Sequence, residues 1–515
     1  TAKTIEELEE YFNIIKSGGL KLFSGNVVND AFSNWFTNPE NNFVFDKKQH
    51  WTKIDEFAKG HGDIKYIWEK GRFCYLYTII RYDHQFGADN SELVFNLIVS
   101  WIDNNQLNCG PYFKCSQEIA LRICNWIFAL YYYKNSNVLT QAVFQKIIDS
   151  IYAQSLHIES NLKFAAIAVR NNHIISEALG LFTVGILFPW FPQSKKWIEI
   201  GKRYLEREGI YQIYEDGSYI QHSFNYHRLI IQLYTWALQL GKVNNIYFNK
   251  KLVDRLKKTV HFIISFTQSD NGKIPNYGAN DGSLIFPLNS CDYTDYRPQA
   301  GALYALLMLN SPYTHGLWDE DLNWFGLKKG ELVTDKIKTQ SFYKYENGGY
   351  YILKSDESMC FIRCSKYRHR PVHADNLHVD IWYKGKNIIC DRGTFSYNTD
   401  PDTMKEFYGT LGHNTISVDF NDQMLKGPRF IWYFWSQAKY ADISQNSDYV
   451  MFEGMINAFR HLKKNGIKHK RTVKQYSNST VWEISDNVEN WEGTIIQSWN
   501  IDKSFIDEGF TIRSF

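Results

Sequence analysis

The chain has no surplus of either charge, no long apolar run and no paired-cysteine motif. Each absence removes a class of function. Its 57 basic and 55 acidic residues leave a formal charge of +2, so no global field favours nucleic acid or an anionic membrane. The longest apolar run, "ALGLFTVGILFPWF" from Ala178 to Phe191, contains Pro189 and is too short to cross a bilayer. No transmembrane segment is expected. Eight cysteines are scattered without a CxxC pair. Cys360 and Cys364 lie four apart but lack partners at zinc-finger spacing. Free, mostly buried thiols are expected rather than a disulfide scaffold. No signal peptide is visible. The first residue is Thr1, so the natural start is expected to be missing, and with it any cleaved leader.

Aromatic rings are plentiful: 34 Tyr, 35 Phe and 16 Trp in 515 residues. Flat rings fill cores, and they also stack on sugars or bases. From about residue 5 to about 335 the apolar pattern is helical. In "SQEIALRICNWIFALYYY" residues Ile119, Ile123, Trp126, Ile127 and Leu130 recur at three- and four-residue steps. "SELVFNLIVSWIDNN", "SKKWIEIGKRYLEREG" and "FNYHRLIIQLYTWALQLG" behave alike. Ten or so such helices in series must curl to bury their stripes, as a toroid or solenoid. After about Lys338 the period becomes two. Leu377, Val379 and Ile381 alternate with His378, Asp380 and Trp382, and Lys384-Gly385 turns the chain back. The spacing predicts an α+β chain: an incomplete (α/α) toroid over 1–337, then an antiparallel sheet or sandwich domain over 338–515. The final "GFTIRSF" still reads as strand, so the natural chain is expected to continue past Phe515.

Four polar clusters interrupt these patterns. In "RNNH" (Arg170 to His173), Asn caps a helix whose apolar face begins at Ile174. In "EDGSYIQHSFNYHRL", Tyr219, His222, Tyr226 and His227 lead into a helix. "RHRPVHADNLHVDIW" carries His369, His373, Asp375, His378 and Asp380, with Asp391 following in "CDRGTFSYN". "HNTISVDFNDQ" opens with His413 at a strand start. His and carboxylate donors so close together suit zinc, or a hydrogen-bonded strand face. A site built from His373, Asp391 and His413 is compatible with this spacing.

Together these clusters resemble the heparinase II/III superfamily of polysaccharide lyases, which pair a helical toroid with an antiparallel β domain. The likeness runs through "GDIKYIWEKGRF", "SQEIALRICNW", "NNHIISEALGLF", "DGSYIQHSFNYH", "IPNYGANDGS", "HADNLHVDIWYKGKNIICDRGTFSYN" and "HNTISVDFNDQ", in that order. It is nearest to the heparinase-like proteins of bacterial surface-polysaccharide gene clusters, which leaves the periplasm or the cytoplasm as compartment. The resemblance implies β-elimination at a uronic acid. A base takes the C5 proton, the C4–O bond breaks, and the sugar carboxylate must be neutralised so that an enolate can develop. By resemblance Asn172 and His173 neutralise the carboxylate, Asn171 caps, and Tyr226 is the acid, with the base role also open to it. An electropositive surrounding is expected to lower the Tyr226 phenol pKa toward neutrality. Arg170 and His227 are candidates for gripping acidic sugars. Glu118, Arg122 and Trp126 are candidates for lining the cleft, although a helix–helix ion pair also explains Glu118 and Arg122. Asn276, Tyr277, Asn280 and Asp281 sit on a Gly-rich loop that could reach the cleft. The resemblance also implies a structural zinc on His373, Asp391 and His413, with His469 as a weaker third ligand.

One position departs from the family. Many relatives carry a catalytic histidine two residues before the metal-binding one, and here that place is Pro371. His369 and His378 are nearby substitutes. Tyr408 lies where alginate-type relatives place a second tyrosine, and Tyr226 serving as both base and acid is a further solution. Two other classes stay open. One is a polysaccharide-binding or export factor that has lost catalysis. The other is a glycoside hydrolase, which needs paired carboxylates such as Glu118, Asp216 and Asp281. The expected partner is an acidic polysaccharide, not nucleic acid. The near-neutral charge favours a carboxylated or weakly sulfated chain over a heavily sulfated one.

Overall fold

The structure is a computed structural model that describes residues 2–327, 332–335, 337, 339–396, 400–477, 479–502, 504, 511 and 513. Helices dominate up to Trp324 and strands from Phe342, as the change of period predicts. The expected division at 337/338 falls between those two points, and residue 338 lies outside the described residues. So does most of the strand expected over 509–515.

The helical part is a curled series. The helix Asn172–Leu187 sits at its centre and is buried from Ile174 to Gly185. It packs against Ser116–Tyr132, Gln141–Phe164, Ser194–Gln212 and Phe224–Val243. Two glycines permit that crowding. A Cβ on Gly180 would lie 2.8 Å from the Ala120 Cβ, and one on Gly201 would lie 2.7 Å from the Ala178 carbonyl oxygen. Thr140, Asn171, Ser223 and Asn249 cap their helices by accepting first-turn N–H groups.

Among the described residues two larger antiparallel sheets follow, beside two two-stranded ones. The first has five strands in chain order: Phe342–Tyr345, Tyr350–Lys354, Ser358–Arg363, Val379–Tyr383 and Lys386–Ile389. The second has four: Gln437–Gln445, Tyr449–Ala458, Ile467–Tyr476 and Trp482–Glu489. One face of the five-stranded sheet (Tyr351, Leu353, Cys360, Ile362, Val379) packs on Ile443, Phe452, Ile456 and Val473 of the second sheet. Its other face (Tyr350, Ile352, Met359, Phe361, Trp382) packs on Phe224, Phe262, Phe266 and Tyr277 of the helical part. The molecule is therefore layered helices, sheet, sheet. The alternation around His378 and Asp380 was expected to separate a polar from an apolar face. Both residues are instead wholly buried, because the sheet has no wet face.

Arg363 pins the two halves together. It is fully buried. Its Nη2 lies 2.9 Å from His222 Nδ1 across the boundary, Nη1 donates to the Gly349 carbonyl at 3.0 Å, and the guanidinium lies 4.2 Å from the Tyr350 ring centroid. Replacing it leaves buried acceptors unpaired. Arg363→Met is expected to lower stability by about 2–4 kcal/mol, seen as earlier thermal unfolding, and Arg363→Lys to recover only part of that because it cannot fork.

Candidate functional site

The site forms where the N-terminus of the central helix faces the β domain. The Gln141–Phe164 helix ends in a wide π-type turn, Ala165–Val169, and Arg170 follows with φ +43°. Asn171 then accepts the His173 N–H at 3.0 Å, the capping role expected of it. This turn aims Asn172 inward, where it is 1% exposed. One amide hydrogen goes to Gln117 Oε1 at 2.5 Å. The second remains for another acceptor, and Oδ1 is buried without a partner. His173 is half-buried, with Nδ1 3.7 Å from Cys115 Sγ. Burial pushes its imidazole down to about 4 against the pull of Glu118, so at neutral pH it is an uncharged donor or acceptor.

Tyr226 enters on the next helix, which Ser223 caps. Its hydroxyl donates to Asp281 Oδ2 at 3.0 Å. Asp281 also pairs with Lys65 and accepts from Asn225 Nδ2 at 3.0 Å and the Ser283 N–H at 3.2 Å. The phenol pKa does not fall as expected. Burial and the Asp281 carboxylate push it well above its ordinary value, against the weaker pull of Arg72. Tyr408 comes from the β domain, at the end of the helix Pro401–Tyr408. Burial pushes its phenol up to about 12, against Lys65. Asp281 acts electrostatically on both the Tyr226 and the Tyr408 phenols, so the two tyrosines, from opposite halves of the molecule, feel the same buried charge.

Behind Tyr408 lies a candidate metal centre. The rings of Tyr408 and His373 stack with centroids 5.1 Å apart, and those of His373 and His413 at 4.8 Å. One ligand atom each from His373, Asp391 and His413 lies within 4.8 Å of the others. His413 Nδ1 is 2.8 Å from Asp391 Oδ2. Both ring nitrogens of His373 and Nε2 of His413 are buried without hydrogen-bond partners. Orphaned buried nitrogens beside a carboxylate are the donor set a transition metal takes, so these residues fit one.

Several expected site residues lie elsewhere. His378 is no substitute base: it is wholly buried and its Nδ1 accepts the Asn414 N–H at 3.0 Å. His469 is not a ligand, since its Nε2 is 2.6 Å from Asp486 on the outer sheet. Arg122 does not line a cleft. It is buried against the Trp101 ring and donates to Gln154 at 2.8 Å. Trp126 is wholly buried in the helical core. His227 is 2% exposed and stacks on Phe262 at 4.9 Å. All three lie on the inward stripes of their helices. Glu118 pairs with Arg72 at 2.8 Å, not with Arg122, and helps to frame His173 from below. Asn280 spends its amide on Asn276 and accepts from Tyr293 at 2.7 Å. Asn276 stays exposed on the same loop. Arg170 and His369 do meet at the rim. The Arg170 guanidinium lies 3.4 Å from the Tyr211 ring centroid, and the Tyr211 and Tyr214 hydroxyls hold the two His369 nitrogens at 2.9 and 2.7 Å.

The three carboxylates considered for hydrolysis are each committed. Glu118 and Asp281 are held low by their cations, Arg72 and Lys65, against burial. Asp216 accepts from Ser218 and, at 3.0 Å, from the Gly348 N–H. Neither Glu118 nor Asp281 is the proton-bearing acid a glycosidase needs. Sequence reasoning missed Lys65, Gln117 and Asn225. The one trace was a lysine inside the apolar stripe of "GDIKYIWEKGRF".

Family models match both halves: "Heparinase II/III N-terminus" over residues 29–285 and "Heparinase II/III-like, C-terminal" over 338–505. A heparin-sulfate lyase of Bacteroides thetaiotaomicron is 24% identical over 431 residues, which cover 78% of this chain and 56% of that protein. One from Bacteroides stercoris is 22% identical, covering 66% and 47%. The chain thus spans about half the length of these relatives. Among solved structures, heparinase III superposes with a TM-score of 0.62 at 16% identity, covering 97% of this chain and 80% of that one. A mutant of the heparan sulfate lyase HepC from Pedobacter heparinus gives 0.60 at 16%, covering 96% and 71%. At these identities the structural likeness concerns the fold.

Dialysis against a transition-metal salt is expected to load one ion per chain, measured by elemental analysis. His413→Ala should lose that ion while His469→Ala keeps it, and chelation should lower the thermal midpoint of the parent and not of His413→Ala.

Proposed function

The chain belongs to the heparinase II/III family, and we propose that it is a polysaccharide lyase that cleaves a uronate-containing chain by β-elimination. The observation that supports this reading is that the Tyr226 hydroxyl donates to Asp281 at 3.0 Å, while the charge of that carboxylate also acts on His173 and on Tyr408 of the other half of the molecule; Asn172 precedes His173 at the same helix N-terminus.

The roles follow from what each group can do. The free Asn172 amide hydrogen and the uncharged His173 ring receive the uronate carboxylate. This hydrogen bonding lowers the cost of placing charge on C5 as the enolate develops. Asn172 is well suited, since Gln117 fixes the amide and its buried surroundings strengthen any bond it makes. The C5 proton must then go to a group within reach. Pro371 removes the histidine that relatives use, and His378 is sealed in the sheet. Tyr408, whose phenolate form the Lys65 charge favours against burial, takes that place in this reading, with Tyr226 as its counterpart at the leaving oxygen. Arg170, stacked on Tyr211 and 40% exposed in its side chain, reads as a contact for a neighbouring acidic sugar, with His369 orienting Tyr211. A zinc on His373, Asp391 and His413 would supply a rigid cross-link, not chemistry. What the chain does with it is hold the Tyr408 ring through the His373 stack.

Pro371 also supports a second reading, a binding factor without turnover. The two separate under one measurement, ultraviolet absorbance of the conjugated double bond during incubation with a panel of uronate polymers. Rising absorbance is expected with at least one carboxylated or weakly sulfated polymer. Tyr226→Phe should reduce the rate by about 10²–10⁴-fold, and Asn172→Ala by about 10²–10³-fold, each in a folded chain. Binding without any absorbance change would favour the second reading.

A further inference from the structure

Asp281 has more partners than an ordinary loop carboxylate needs. Asn225 Nδ2 and the Ser283 N–H both bind Oδ1, and Lys65 and the Tyr226 hydroxyl both reach Oδ2. The partners are held in turn. Arg228 donates to Asn225 Oδ1 at 3.1 Å, and the Tyr293 hydroxyl, 2.7 Å from both Asn225 Oδ1 and Asn280 Oδ1, has one hydrogen for the two. The loop itself is pinned at Gly282, φ +71°, where a Cβ would lie 2.8 Å from the Phe23 Cβ. The Lys65 and Asp281 side chains are 10% and 12% exposed. This is a fixed anion, saturated with donors, against the one hydroxyl the elimination most needs.

We infer that Asp281, clamped by Lys65, is a positioning residue that takes the Tyr226 hydroxyl hydrogen in the resting site and so commits this tyrosine to proton donation. The inference rests on the lyase reading above. Its physical basis is charge. A Tyr226 phenolate would place a second anion 3.0 Å from a buried carboxylate, where repulsion is little screened. Tyr226 therefore meets substrate with its proton. A turn about the C–O bond swings that hydrogen from Asp281 to the leaving oxygen, whose alkoxide is more basic than a phenolate. In the step, the C5–H bond breaks and its electron pair becomes the C4–C5 double bond. The C4–O pair leaves on oxygen and takes the Tyr226 proton. The C5 proton rests on the base until water returns it to Tyr226.

Tyr408, Tyr219 and Arg72 also face the Tyr226 phenol. Lys65, Arg72, Glu69 and His173 face Asp281. Arg72 is divided between Glu118 and Glu69, so Asp281 is the charge in contact with the hydroxyl.

The test is a pH titration of the full chain carrying isotope-labelled tyrosine ring carbons, followed by NMR. The Tyr226 signal is identified by its loss in Tyr226→Phe. In the parent it should stay protonated beyond the ordinary tyrosine value of about 10. Asp281→Asn should lower its titration by at least about one pH unit. Lys65→Met, which removes the cation and leaves the carboxylate, should not lower it. Because the proposed donor must be protonated, activity falls as pH rises through its pKa. The alkaline limb of kcat/KM should therefore move to lower pH in Asp281→Asn, whereas a merely structural role would scale the rate at every pH. An unmoved titration in folded Asp281→Asn overturns the inference, as does a lowered one in Lys65→Met. The second comparison decides the matter if Asp281→Asn fails to fold. A parent that yields no unsaturated sugar overturns the lyase reading and the donor role together. The NMR shift still reports whether Asp281 governs the phenol, so the two failures are told apart.

Discussion

The five-stranded sheet is covered on both faces, and the rest of the molecule depends on that burial. Helices lie against one side and a second sheet against the other, so polar groups entering the sheet and its connections have no water to satisfy them. Each must find a partner in the protein. Arg363 finds His222 and two backbone carbonyls. Asn376 exchanges bonds with Ser365 and Gln423. His373, Asp391 and His413 find one another, with nitrogens left over. The same pressure that builds the interior therefore assembles the candidate metal ligands and fastens the two halves together.

That fastening makes a two-sided pocket. Asn172, His173 and Tyr226 stand on helix N-termini of one half, and Tyr408 stands on a short helix of the other. Neither half holds the full set. Ring contacts run from His413 through His373 to Tyr408, and Tyr408 feels the charges of Lys65 and Asp281, the carboxylate that binds Tyr226.

Much of this was legible in the sequence. The switch from a period of 3.6 to a period of two marks the change of architecture. Asn171 reads as a cap because Asn before an apolar run is one. The His/Asp/His spacing and Tyr226 were recognisable through their resemblance to a family. The misreadings share one cause. Arg122, His227 and His378 are polar residues that a one-dimensional pattern offers as surface, yet each is turned inward, and Trp126 stays on the apolar stripe where its spacing puts it. In a layered fold a helix has more than one buried stripe and a sheet can lack a wet face. Lys65 and Asp281 went unpaired for the opposite reason: they are 216 residues apart, and nothing local links them.

What the sequence determined by itself is therefore the order of elements, their ends and the kinds of side chain available for chemistry, since periodicity, capping and turn propensity act over a few neighbouring residues. What only the tertiary structure decided is which side chains meet and in what charge state. Tyr226 keeps its proton because a distant loop brings Asp281 to 3.0 Å. Tyr408 joins the pocket because His373 holds its ring. Both depend on distances and desolvation that arise only when the two halves close on each other.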